Sequence, residues 1–95
     1  MLFEWDESKR LANLVKHYID FRDAKRVFDG LVFERGASRD GEDRMLAIGL
    51  LEHIEIVVVY VMRGKSRRII SARRANRNER QDYEDHVREV HPGRD

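Results

Sequence analysis

The stretch IVVVYVM, residues 56–62, constrains this chain more than any other. Its β-branched residues are stiff about χ1 and fit a pleated strand better than a helix. Alternate residues of a strand point to opposite faces, so this run is apolar on both. It reads as the central strand of a sheet. It is far too short to cross a bilayer.

Other strands gather around it. Leu2–Trp5 reads as a short first strand, Leu31–Arg35 as a second and Arg44–Leu50 as a third. GASRDGED, residues 36–43, is turn chemistry, and Glu52–Glu55 is a further turn. Gly64 allows a tight reversal into a last strand over Arg67–Ala75. Helices fill the gaps. Asp6 can cap one carrying Leu11, Leu14, Val15 and Tyr18 as an apolar stripe at i, i+3, i+4, i+7. Asp20 can cap a second, with Phe21, Ala24, Val27 and Phe28 as its stripe and Gly30 as its stop. Asn76 with Glu79 resembles a capping box ahead of a third, whose thin stripe is Tyr83, Val87 and Val90. Pro92 and Gly93 end it, and residues 91–95 read as a loose tail.

The order is β-α-α-β-β-β-β-α with short connections. At 95 residues the expectation is one domain over residues 1–95. Its architecture is α+β: a small antiparallel sheet, a four-stranded meander plus the short first strand, with helices on one side. There is no cysteine, so disulfides and thiolate metal sites are excluded and a reducing compartment is permitted. MLFEWDESKR lacks the basic and apolar regions of a signal peptide, and a soluble cytoplasmic protein is the expectation.

Charge is the second constraint. Residues 63–80 carry eight Lys/Arg against one acid, Glu79, a local +7 in a chain whose net charge is +1. The remainder is therefore acidic by six charges. One concentrated basic segment in a near-neutral chain suggests a local anion site rather than a general nucleic-acid coat. P-loop, G-x-G-x-x-G, H-E-x-x-H and EF-hand signatures are missing, and the four histidines do not cluster. His86 and His91 are five apart, whereas a helical metal pair needs a spacing of about three or four. No metal or cofactor is expected.

Arginine, one histidine and one tyrosine remain. Guanidinium is always charged and matches phosphate oxygens with paired hydrogen bonds. Arg63 ends the central strand. Arg73 and Arg74 point to opposite faces of the last strand, Arg73 with Ser71 and Ile69, Arg74 with Ala72 and Ile70. Which face is open is not decided by the sequence. His17 ends the first helix, where it either complements the helix dipole or serves as general acid or base. Tyr60 either packs in the sheet or orients a phosphate. Arg44 begins a strand within reach of an anion, or is simply solvated.

FEWDESKRLANLVKHYIDFRDAKRVFD at residues 3–29, GEDR at 41–44, VVVY at 57–60 and RIISARRANRNER at 68–80 together resemble the BrnT family of bacterial toxins. The resemblance spans residues 2–83. It implies a RelE-like fold and a ribonuclease toxin of a type II toxin–antitoxin pair. It further implies a BrnA-type antitoxin with a ribbon-helix-helix-like DNA-binding segment, the joint complex repressing its own operon. Relatives usually have K-H-G where this chain has Lys16-His17-Tyr18, and the tyrosine argues against a left-handed helix end.

RNA carries its own nucleophile, so such an enzyme needs alignment, a proton acceptor and charge stabilisation but no metal. The catalytic candidates are Arg63 and Arg73 as phosphate clamps, His17 as acid or base and Tyr60 as orienting group. Arg44, Arg74 and Lys65 are the substrate-binding candidates. The competing reading is a binding module whose basic segment docks an acidic partner or nucleic acid without cutting it. A purely structural role for the arginines is weaker, because a surface ion pair contributes only about 0–1 kcal/mol.

Overall fold

A computed structural model describes residues 1–93. The sheet has five strands in the order β1-β5-β4-β3-β2, where β1 is Leu2–Glu4, β2 Phe33–Gly36, β3 Met45–Leu51, β4 Ile54–Arg63 and β5 Ser66–Arg74. Neighbours from β2 to β5 are antiparallel, but β1 runs parallel to β5, Leu2 opposite Ser66. The sheet is therefore mixed, which corrects the antiparallel expectation. The long connection from β1 to β5, which holds the first two helices and three strands, supplies the crossover that a parallel neighbour requires.

Helices cover both faces, not one. α1 (Glu7–His17), α2 (Phe21–Ala24) and the 3-10 turn Lys25–Asp29 lie on one side. α3 (Arg77–Val90) lies on the other. The double coverage explains why β4 is apolar on both faces: Ile56 and Val58 pack with Phe21, Ala24 and Val27, while Val57 packs with Tyr83 and Ile48. Gly49 makes room on the α1–α2 side, since a Cβ there would stand 3.0 Å from Val27 Cβ. The turn joining β3 and β4 shortens to Glu52 and His53, both at positive φ, so β4 begins at Ile54.

A bulge changes the faces of β5. Val59 pairs with Ser71 and Tyr60 with Ile69, so Ile70 has no partner in the ladder. Ile69 thereby joins Ala72 in the α1–α2 core instead of sharing a face with Arg73.

α1 departs most from its sequence pattern. Its buried residues are Arg10 and Asn13, whereas Leu11 is 50% and Val15 77% exposed. Asn13 explains the inversion. β1 pairs with β5 only as far as Arg68, which leaves Ala72 without a ladder partner on that side. The Asn13 amide takes the place of a strand: Nδ2 donates to the Ala72 carbonyl at 2.8 Å, and the Ala72 N–H donates to Oδ1 at 3.1 Å. Buried backbone polar groups need such partners. Arg10 reaches Asp20 at 2.8 Å and ties α1 to the cap of α2. No helix among the described residues is long and apolar enough to cross a membrane. Residues 94 and 95 of the expected loose tail lie outside the described residues.

Candidate functional site

α1 ends on Lys16 and His17, and the chain must then turn sharply to enter α2. Tyr18 makes that turn at φ 60, ψ 26, in the left-handed region, with its N–H donating to the Leu14 carbonyl at 2.9 Å. The left-handed helix end is thus present in spite of the tyrosine. Ile19 is buried behind it, and Asp20 caps α2 by accepting from the Arg22 N–H at 2.8 Å.

This joint forms one wall of a cleft of about 350 Å³. His17, Tyr18, Asp20, Asp23 and Arg26 line the helical wall. Leu51, Glu52, Ile54, Ile56 and Arg74 line the sheet wall. Two residues distant in sequence, His17 and Arg74, therefore share one cavity. His17 is half-buried; Arg74 is exposed at the end of β5 and has no carboxylate partner among the described residues. Arg26 faces Glu52 at 3.7 Å with both side chains more than half exposed, a loose pair that screening weakens further. Asp20 is committed elsewhere. Arg22 holds its carboxyl at about 2, through the guanidinium first and the backbone N–H after, and Arg10 adds attraction. The cleft thus offers an imidazole, an unpaired guanidinium and a second guanidinium that an anion can recruit.

The remaining candidates lie elsewhere. Arg73, next to Arg74, points to the α3 side and forms a bidentate pair with Glu79, both contacts 2.7 Å. Glu79 also closes the capping box of α3, accepting from the Asn76 N–H at 2.8 Å while Asn76 accepts from its N–H. The Arg73 guanidinium lowers the Glu79 carboxyl below the usual carboxylate range, and the Asn76 contact adds to it. Tyr60 is buried, and its hydroxyl donates to Glu34 at 2.5 Å. Burial pushes its hydroxyl up, and the Glu34 hydrogen bond adds to that. The Arg67 guanidinium lies 5.0 Å from the Phe28 ring centroid and 5.3 Å from that of Tyr60.

Arg63 is at the far end of β4, where it shares Glu4 with Arg68. Lys65 is exposed in the β4–β5 turn. Arg44 donates to Glu42 at 2.6 Å. The guanidinium groups of the last hairpin therefore do not converge. Arg26 was not legible as a candidate, because DFRDAKR reads as an ordinary charged helix surface. Tyr18 reads from the sequence as part of an apolar stripe and as a replacement for the glycine of relatives, not as a site residue.

Comparison with known families adds one finding. The family described as "Ribonuclease toxin, BrnT, of type II toxin-antitoxin system" matches residues 5–79. That span holds His17, Tyr18, Arg26 and Arg74, as well as the Arg73–Glu79 pair. No curated protein matches the sequence.

Proposed function

The chain belongs to the BrnT family of ribonuclease toxins of type II toxin–antitoxin systems, and from that premise we propose that it cleaves RNA in the His17–Arg74 cleft, by attack of the substrate's own 2′-hydroxyl and without a metal ion. His17 takes the proton of the 2′-hydroxyl, since imidazole exchanges protons near neutral pH. The freed oxygen bonds to phosphorus and the bond from phosphorus to the 5′-oxygen breaks. The leaving 5′-oxygen takes a proton from water or from the protonated His17. The products are a 2′,3′-cyclic phosphate and a 5′-hydroxyl. Arg74, joined by Arg26, neutralises the charge that builds on the phosphoryl oxygens. Of the earlier candidates, Arg63 and Lys65 fit a supporting role along the RNA backbone; Arg73 and Tyr60 fit structural roles, given their carboxylate partners.

The observation that carries this reading is that His17 and Arg74 line one cleft although 56 intervening residues separate them. A type II toxin has a protein antitoxin, and we take this one to be of BrnA type, repressing the shared operon as a complex. On the same reading the mixed sheet with its helices is RelE-like, and the toxin acts on cytoplasmic RNA to halt translation and growth.

The test is cleavage of RNA by the purified chain, with and without ribosomes, in the presence of a chelator. Mass spectrometry should find cyclic phosphate and 5′-hydroxyl ends. His17→Ala should lower the rate by about 10²–10⁴-fold. Full activity in both His17→Ala and Arg74→Ala would move the chemistry out of this cleft, and loss of cleavage in the chelator would reject the metal-free mechanism.

A further inference from the structure

We propose that Tyr18 is a stacking platform for an unpaired RNA base, which makes single-stranded RNA the substrate class of the cleft; this rests on the ribonuclease reading above. Tyr18 is at φ 60, where the Cβ of any residue but glycine is disfavoured. A strained backbone of this kind points to a function the side chain performs. The turn from α1 into α2 accounts for the left-handed backbone, but nothing inside the fold accounts for a tyrosine there rather than a glycine. The side chain is 87% exposed, its ring pairs with no other ring among the described residues, and its hydroxyl has no hydrogen-bond partner there.

What surrounds it includes chemistry for a nucleotide, an imidazole and two guanidinium groups, beside the carboxylates of Asp20, Asp23 and Glu52. Tyr18 lines the same cleft as His17, Arg26 and Arg74. A phosphate held by the two guanidinium groups leaves its neighbouring base to find a surface, and an exposed aromatic ring accepts any base by its π-face. A duplex keeps its bases stacked on one another and cannot offer one to the ring. Leu11 and Val15, the exposed large apolar residues of α1, do not line the cleft. A protein partner covering all three is the alternative that the test must separate.

The experiment measures binding of a single-stranded 2′-O-methyl oligonucleotide carrying 2-aminopurine, which blocks 2′-hydroxyl attack and reports stacking by quenching. Wild-type protein and Tyr18→Phe should quench it. Tyr18→Gly should lose the quenching and bind about tenfold more weakly, a typical effect of removing one stacking ring. Glycine suits the left-handed position, so this variant should melt no lower than wild type. Cleavage assays on natural RNA should show the same loss as a raised KM with little change in kcat. Equal affinity and quenching for wild type and Tyr18→Gly, with cleavage intact, would overturn the stacking proposal and leave the ribonuclease reading standing. Wild-type protein that neither binds nor cleaves RNA would end both. Tyr18→Gly that keeps its RNA affinity but no longer retains a co-expressed antitoxin would reassign the ring to a protein contact.

Discussion

Arg73 and Arg74 are adjacent on β5 and meet opposite environments. Arg73 crosses to the α3 face and is held by both oxygens of buried Glu79. Arg74 turns to the α1–α2 face and opens on the cleft with His17. Two identical side chains, one peptide bond apart, thus differ in commitment: one is taken up by a carboxylate of the fold, and the other stays open to a ligand. A charge run marks where cations are; which of them is available to a ligand depends on whether a carboxylate of the same chain has already taken it.

The sharpest way to break this contrast is Arg74→Ala. Its RNA cleavage should fall about a hundredfold, equivalent to about 2.7 kcal/mol of transition-state stabilisation, with urea unfolding unchanged. Unimpaired cleavage would erase the functional half of the comparison. Arg73→Ala should do the reverse. It leaves the Glu79 carboxylate buried without its cation, and unfolding free energy should drop by about 2–3 kcal/mol, less than for a fully buried pair because Arg73 is one-third exposed. Adding Glu79→Gln to that variant should recover part of the loss in denaturant titration, since the stranded charge is removed.

α1 extends the contrast between a face that holds the fold and one that does not. Asn13→Ala strips two hydrogen bonds from buried backbone of Ala72 and should destabilise by about 1–3 kcal/mol. Leu11→Ala, on the exposed side, should change stability by no more than about 0.5 kcal/mol. Thermal melts of the pair decide it, and a larger loss for Leu11 would mean that the apolar stripe packs inward after all.

The smallest effect concerns pH. The Asp20 carboxyl is held at about 2 against an ordinary 3.8, and that of Glu79 is lowered as well. Both bind protons more tightly in the unfolded chain. Their contribution is therefore full above the ordinary carboxylate range and drains as pH falls from about 5 toward about 2. Asp20→Asn should flatten that acid limb in denaturation measured across this window; an unchanged limb would show that the Arg10–Asp20–Arg22 cluster does not hold the joint between α1 and α2.

Much of the local structure was legible in the residues. Asp6 and Asp20 cap their helices, and the Asn76–Glu79 capping box forms with both hydrogen bonds. Each depends on contacts within a few residues, which a sequence states directly. The α1 stripe misled, because periodicity reports that a helix has an apolar face but not which way the helix turns. Here α1 turns Asn13 toward the unpaired Ala72 of β5 and Arg10 toward Asp20, and leaves Leu11 and Val15 outside. Likewise no pattern announces the Ile70 bulge, which swaps the face of Ile69 and depends on the register with β4.

The sequence by itself determined that β4 is central and that the segment after it is strongly basic, since these depend on composition and order alone, and its likeness to the BrnT family needed no coordinates. Tertiary structure decided which arginine is spent on α3 and which shares a cleft with His17. The reason is physical: a guanidinium is neutralised by whatever carboxylate the fold carries to within about 3 Å of it, and that distance is not written in either residue's neighbours.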